Sequence, residues 1–408
     1  MEKITFCIPS KNNLRYLKAC ISSIRKNAFR KDHDIIIFVD SDNDGTVNWL
    51  ESVKAEYKLE YFVNDTNQLY GIGKAYDFCV NKSKTDIFMI FHADMMLGVD
   101  ADIELLKHLS IGKVVCSTRI EPPLHPEGPE KIVKDFGMWP EQDIKDGFQS
   151  EKFNEYVMIE KLKNDNVVTH GCFAPWAMYK SDFVSIGMHD SILKSAREDS
   201  DVFNRMTLKG YELIQSWQSF VYHLTCRGGQ FEHGILTTDE SAKSADWKKL
   251  MHNSTLEFIR KWGSQVLHDE YMKPIIHPRY NIGLCVSNCN TQLLSLLEPW
   301  CDEIHLSNSD IRDSYIKSEQ KNTAFNLSTK IQENMLSLCE SDIEIIFDAR
   351  QFTRQDQFNF IQNLSQILTD SGEVGTFEYD IFKIKINRMM DHKDKLINIE
   401  SFRGWKKL

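Results

Sequence analysis

The chain has 408 residues, 42% of them hydrophobic and 26% charged, with a formal net charge of −10. These are ordinary globular values over a length that suits two or three domains, and the acidic balance argues against a general nucleic-acid binder. No apolar run approaches the roughly 18 residues that a transmembrane helix needs, so we expect no integral membrane segment.

The first hundred residues alternate predicted strands with predicted helices. A helix after the first strand is indicated by apolar residues three and four positions apart, and GIGKAYDFCVNKS (71–83) reads as a glycine turn that opens a second helix. Repeated strand–helix units predict an α/β fold with a mostly parallel sheet. The predicted strands are ITFCIP (4–9), DIIIFVD (34–40), LEYFVND (59–65) and DIFMIF (86–91).

Polar residues follow three of these strands. Pro9, Asp40 and the stretch His92-Ala93-Asp94 all lie at predicted carboxyl ends, where open α/β sheets bind ligands. A carboxylate such as Asp94 can coordinate Mg²⁺ or Mn²⁺ and bridge it to phosphate oxygens. From this tripeptide alone, an ordinary helix N-cap or loop aspartate is the favoured explanation of Asp94.

The middle of the chain is less regular. Residues 119–165 contain the Pro/Gly loop EPPLHPEGPEK, and we expect a surface excursion or acceptor-side lid there. Order returns at 170–188. A helix is predicted within 195–213, and a strand within 219–229 that runs into a glycine loop.

Two features of this region carry possible chemistry. Glu198 and Asp199 lie at a helix start, where the helix dipole favours carboxylates, but either can also act as a general base. His223 lies in an apolar strand, where a core histidine is the commoner case, although imidazole can ligate Mn²⁺. Arg227, four residues later, suits phosphate oxygens.

A second, smaller α/β unit is predicted from residue 281. Its strands are expected at 281–287, 303–306 and 342–349, with an amphipathic helix at 356–368. We therefore divide the chain into residues 1–275 and 281–408. The second unit lacks a G-x-G-x-x-G motif, so no dinucleotide site is inferred. A structural module, or one that assembles a homo-oligomer, is favoured over acceptor recognition.

Taken in order, the motifs of residues 3–230 resemble the inverting family-2 glycosyltransferases of the GT-A fold. ITFCIPSKNNLRYLKACISSI is similar to their opening strand and helix, and FVDSDNDGT to their second-strand motif. GIGKAYDFCVNKSKTDIFMIFHADMM resembles the segment that leads into the D-x-D metal motif. The later stretches SAREDSDVFNRMTLKGYEL and SFVYHL resemble the E-D-x-D helix and the strand that follows it.

The resemblance implies a role for each matching residue. The substrates it implies are a nucleotide sugar, carrying UDP or GDP, and a glycan or other hydroxyl acceptor, with Mn²⁺ or Mg²⁺ as the cofactor. Asp94 and His223 would bind the metal, and Asp199, beside Glu198, would be the catalytic base. The nucleotide would be bound by Pro9, Ser10, Asp40 or Asp42, Lys74, His92, Ala93 and Arg227. Trp176, in the acceptor-side segment, would stack on a sugar face or belong to the core, which is the commoner place for a tryptophan.

Departures from the family pattern keep other functions open. His92 stands at the first position of D-x-D, which motivates an alternative in which the GT-A domain binds sugar nucleotides or glycans without catalysis. A sugar nucleotidyltransferase ranks lower, because residues 4–15 contain no glycine. The ten cysteines are scattered, several within apolar runs, and no targeting segment is recognised, so we expect a reducing, cytoplasmic location.

Overall fold

The computed structural model describes residues 2–66, 68–225, 244–333, 341–406 and 408. These residues form two compact units. The first contains residues 1–250 and 268–274, and the second contains residues 251–267 and 275–408. Among the described residues, no helix combines the length and apolar character that crossing a bilayer requires.

The first unit is built on a mixed, mostly parallel sheet. Its strands are β1 (Ile4–Lys11), β2 (Asp34–Ser41), β3 (Leu59–Val63), β4 (Ile87–Ile90), β5 (Met95–Leu97), β6 (Lys113–Glu121), β7 (Lys131–Val133), β8 (Val168–Thr169), β9 (Trp176–Tyr179) and β10 (Glu212–His223). Its helices are α1 (Leu14–Asn27), α2 (Thr46–Tyr57), α3 (Ile72–Lys82), α4 (Ala101–Leu106), α5 (Ser150–Lys163), α6 (Lys180–Ser185) and α7 (Glu198–Leu208). Helix α8 (Ala245–Trp262) contributes residues to both units.

The order of strands in this sheet is β3-β2-β1-β4-β9-β6-β10-β5, with β7 beside β6 and β8 beside β10. Strands β3, β2, β1 and β4 are parallel, whereas β9 runs antiparallel to β4 and β6, and β5 runs antiparallel to β10. The predicted α/β fold is confirmed, and the carboxyl ends of β1, β2, β4, β6 and β10 all face one edge.

The buried runs of the sequence explain this arrangement. In β1 and β4 successive side chains are buried on both faces, as expected for parallel strands that are covered on both sides. Helix α1 packs through Leu17, Ile21 and Ile24, which are fully buried. Its apolar stripe has the spacing that the sequence predicted.

The predicted irregularity of residues 119–165 is wrong for 150–163, which form α5. This helix buries Phe153 and Val157 but exposes Met158, Ile159 and Leu162. Because its apolar residues lie on more than one face, the helical period is masked in the sequence. The remainder of the region contains the end of β6, the short strand β7 and loops.

The second unit has a six-stranded sheet in the order β13-β12-β11-β14-β16-β15. Its strands are β11 (Ile282–Ser287), β12 (Glu303–Leu306), β13 (Ile331–Gln332), β14 (Ile343–Asp348), β15 (Gly375–Tyr379) and β16 (Phe382–Ile386). Its other helices are α9 (Thr291–Leu297), α10 (Ser309–Glu319), α11 (Leu327–Lys330), α12 (Gln355–Gln362), α13 (Leu364–Ser371) and α14 (Ile399–Lys406). The role of this unit stays a prediction.

Candidate active site

A cavity of about 550 Å³ opens at the carboxyl edge of the main sheet. Residues that follow β4 line it together with the last residues of β1, β2 and β10, so four strand ends meet around one space. This is the edge at which open α/β sheets bind ligands. The predicted site residues that line the cavity are Pro9, Ser10, Asp40, His92, Ala93, Asp94 and His223.

Three of these side chains form a candidate cation cluster. Each of His92, Asp94 and His223 offers one ligand atom, and these atoms all lie within 4.8 Å of one another. Backbone pairing holds Asp94 close to His223. Met95 of β5 pairs with His223 of β10, and the Leu224 amide donates a hydrogen bond to the Asp94 carbonyl at 3.0 Å.

The chemistry of this donor set fits a divalent cation. Burial lowers the pKa of His92 and outweighs the opposite effect of the Asp94 carboxylate. The imidazole is therefore neutral near pH 7, which is the form that ligates a metal. Two imidazoles and one carboxylate suit a transition-metal ion such as Mn²⁺ better than Mg²⁺, which prefers oxygen ligands alone.

Glu121, at the end of β6, holds His223 in a ligating orientation. Its Oε1 lies 2.9 Å from His223 Nδ1, while His223 Nε2 faces Asp94 Oδ1 at 3.8 Å. Burial opposes ionisation of Glu121, but the hydrogen bond from His223 and the charges of Arg119 and Lys131 hold its pKa well below the usual range. A carboxylate that accepts from one ring nitrogen leaves the other free for a cation.

Glu121→Gln is expected to weaken Mn²⁺ binding by about 10- to 100-fold, as is typical when the partner of a ligating histidine is lost. Calorimetric titration with Mn²⁺ measures the effect. Glu130→Gln is the matched control, because Glu130 contacts Arg119 at 3.5 Å and makes no described contact with His223. Unchanged affinity in Glu121→Gln, or an equal loss in Glu130→Gln, would contradict the orienting role.

Around Asp40 and Ser10 the cavity wall is polar, and hydrogen bonds hold these two side chains in place. The Asp40 carboxylate accepts from Asn64 Nδ2 at 2.8 Å and from the Tyr70 amide at 3.0 Å. The Ser10 hydroxyl donates to Asn13 Oδ1 at 2.6 Å. Asp40 is thus fixed by two donors at a strand end, where it can also accept from a ribose or base.

Two predicted nucleotide contacts, Asp42 and Lys74, are not among the described residues that line this cavity. Asp42 accepts from the Thr46 and Val47 amides at 2.7 and 3.1 Å, so its carboxylate caps α2. Lys74 is exposed on α3 and is not among the described residues that line the cavity. Arg227 lies outside the described residues.

Trp176, one candidate for stacking on a sugar, is a core residue. It is 1% exposed and packs edge-on against Phe88, Phe183 and Phe203, with ring centroids 5.6 to 5.8 Å apart. Its position in β9, between β4 and β6, accounts for this burial.

Glu198 and Asp199 begin α7 close to Tyr76, which lines the cavity. Burial raises the pKa of Tyr76, and the charges of Glu198, Asp199 and Asp94 raise it further. Neither Glu198 nor Asp199 is among the described residues that line the cavity itself. The charges of the two carboxylates therefore act on a tyrosine of the cavity wall, but the described residues show no hydrogen bond from its hydroxyl to either of them.

Gly73 lets α7 pack closely against α3. A Cβ at Gly73 would lie 3.0 Å from His189 Cβ and 3.5 Å from Glu198 Cβ. Glu198 is consequently buried, and burial with the neighbouring Asp199 charge raises its pKa well above the usual value. In the described part of the chain, its Oε2 is buried without a hydrogen-bond partner, a costly arrangement that is common where a side chain has a chemical role.

Sequence reasoning missed four residues of this site. Glu121 ends a strand at the same edge as Asp40, so its position was a usable signal, although the strand itself was not predicted. Phe173 lies three residues before Trp176, the position considered for stacking on a sugar. Tyr76 and Trp247 gave no signal, because helical aromatic residues are usually core.

Residues 5–183 match the family model described as Glycosyl transferase family 2. These residues form a glycosyltransferase family 2 domain. The match covers β1 to β4, the Asp94 turn and Glu121, and it ends before α7. The architecture of the family 2 domain is the GT-A fold.

Two solved structures resemble the chain at low identity. One is GalNAc-T7 with UDP, GalNAc and Mn²⁺, at 15% identity and a TM-score of 0.44, covering 66% of this chain and 49% of that one. The other is residues 1–349 of TarS from S. aureus, at 12% identity and a TM-score of 0.38, covering 54% and 60%. The chain thus spans about half the length of the first. No curated protein matches its sequence.

Proposed function

We propose that the chain is a metal-dependent, inverting glycosyltransferase that moves a sugar from a nucleotide sugar to an acceptor hydroxyl. The observation that carries this proposal is the cluster of His92, Asp94 and His223 in one cavity with Asp40. A cation site and a polar nucleotide pocket at the same sheet edge are what a diphosphate leaving group requires.

The roles of the residues follow from their chemistry. Asp40 orients the nucleoside, and His92, Asp94 and His223 hold the cation. When bound, the cation neutralises the negative charge that develops on the departing diphosphate. Asp199 accepts the proton of the acceptor hydroxyl as its oxygen attacks the anomeric carbon from the face opposite the diphosphate. A bond from the acceptor oxygen forms, the bond to phosphate breaks, and the anomeric centre inverts.

A second candidate is a binding module that retains the nucleotide sugar without transferring it. It is favoured by the absence of Glu198 and Asp199 from the described cavity lining, and by His92 in place of a carboxylate. The raised pKa of the buried Glu198 favours the enzyme, because such groups cluster at catalytic sites.

A ligand screen tests the proposal. We expect at least one of UDP, GDP and dTDP to raise the melting temperature only when Mn²⁺ is present, since a ligand at 100 times its Kd adds about 2.7 kcal/mol. The sugar nucleotides of that base should then release nucleoside diphosphate when saccharides are added. Binding without release would support the binding module, and the absence of binding would contradict both functions.

We further propose a reducing location such as the cytoplasm. Eight cysteines of the described residues are buried free thiols, which is typical of reduced proteins. Assembly of a homo-oligomer through the second unit stays a prediction.

A further inference from the structure

Phe173 is an aromatic side chain in the wall of the cavity, three residues before β9. The guanidinium carbon of Arg119 lies 4.1 Å from the centroid of its ring. This is a close cation–π contact. One face of the ring is therefore covered by the guanidinium, and the half-buried side chain presents the rest of its surface to the cavity.

Arg119 is itself held firmly. Its side chain is buried, with Nη1 donating to Glu121 Oε1 at 3.0 Å and Nη2 to Glu130 Oε1 at 3.5 Å. Charge-assisted hydrogen bonds in a buried setting fix such a group. The ring of Phe173 consequently rests on a rigid support, and a ligand that contacts it loses little binding energy to reordering of the protein.

The sheet order separates Phe173 from the nucleotide pocket. Trp176 of β9 pairs antiparallel with Ile90 of β4, so the residues before Trp176 continue past the carboxyl end of β4. Asp40 lies near the end of β2, three strands away in the order β2-β1-β4-β9. At about 4.8 Å per strand the distance is roughly 14 Å. His92, which follows β4, lies between them in this order, whereas His223 at the end of β10 lies two strands beyond β9. Phe173 is therefore beside the cation cluster and well separated from Asp40.

A second large aromatic side chain, Trp247, lines the same cavity from the first turn of α8. The Ser244 hydroxyl accepts from the Trp247 amide at 3.2 Å, which caps the helix and fixes this turn. The cavity thus combines a polar pocket at Asp40 with flat apolar surfaces from two rings.

We infer that Phe173 is a specificity-determining residue that stacks on the acceptor, and that the acceptor is a saccharide. This rests on the proposed function. A pyranose ring has a flat face of C–H groups that packs on an aromatic ring, whose faces carry partial negative charge. A simple alcohol or a serine-containing peptide has no such face, so a rigid ring beside the cation cluster and away from Asp40 selects a sugar acceptor.

Direct binding provides the test. Maltose, lactose and cellobiose are titrated against the full chain with Mn²⁺ and UDP by saturation-transfer NMR, with glycerol and N-acetylserine amide as acceptors of other classes. We expect binding of at least one disaccharide, weakened about 3- to 10-fold by Phe173→Leu and preserved in Phe173→Tyr. Phe29→Leu, which alters an exposed ring outside the cavity, is the matched control.

Three results would overturn the inference. They are that the chain binds none of the disaccharides, that it binds one with an affinity that Phe173→Leu leaves unchanged, or that it binds glycerol or the serine amide more tightly than any disaccharide. Loss of Mn²⁺-dependent UDP affinity in Phe173→Leu would make the ring a nucleotide contact instead. Failure of the proposed function appears separately, as saccharide binding without consumption of any sugar nucleotide.

Discussion

Asp199→Asn is expected to lower the turnover number for sugar transfer by about 10²- to 10⁴-fold, the usual contribution of a general base. The substitution keeps the size of the side chain but removes its capacity to take the acceptor proton. Binding of the donor should stay within about twofold, because Asp199 is not among the described residues that line the cavity. Steady-state kinetics and calorimetric donor titration measure the two effects.

Asp143→Asn is the control for this experiment. Asp143 is an exposed carboxylate in the segment before α5, so its loss changes net charge by the same amount without touching the site. Wild-type turnover in Asp199→Asn would rule out the base assignment. An equal loss of donor affinity would instead place Asp199 on the nucleotide sugar.

Asp94→Asn is expected to reduce Mn²⁺ affinity by about 100-fold and to abolish Mn²⁺-dependent binding of nucleoside diphosphate. Asp94 supplies the only carboxylate of the cation cluster found among the described residues. Losing one partner of a close charge pair costs roughly 2–5 kcal/mol. Calorimetric titration with Mn²⁺, followed by the diphosphate, gives both quantities, and chelation of the wild type should reproduce the variant.

Asp86→Asn is the matched control, because Asp86 is exposed just before β4, at the opposite edge of the sheet from Asp94. Retention of Mn²⁺-dependent diphosphate binding by Asp94→Asn would remove the cation cluster from the mechanism. A similar defect in Asp86→Asn would point to a general loss of fold instead.

The first four strands of the first unit were predictable because their signals are local. Runs such as DIIIFVD and DIFMIF are buried on both faces, and the polar residues after them mark the carboxyl edge. Helix α5 was missed because it exposes Met158, Ile159 and Leu162. Which faces of a helix are covered depends on the elements that pack against it, and a single stretch of sequence does not contain that information.

The site was predictable to a smaller extent. Asp40 and His223 lie at the ends of strands and Asp94 follows one, and the topology of the sheet brings such residues together. Asp42 satisfies the same sequence pattern, but its carboxylate is taken by the α2 amides. The role of Glu121 depends on contacts across more than 100 positions of sequence, which no local pattern encodes.

Phe173 and His223 are joined in series by Arg119 and Glu121, whose contacts run from ring to guanidinium to carboxylate to imidazole. Any coupling free energy between two sites is reciprocal. The factor by which a cation at His223 changes ligand affinity at Phe173 therefore equals the factor by which the ligand changes cation affinity. Measuring the Mn²⁺ affinity with and without a saccharide thus reports on the contacts that join the two positions.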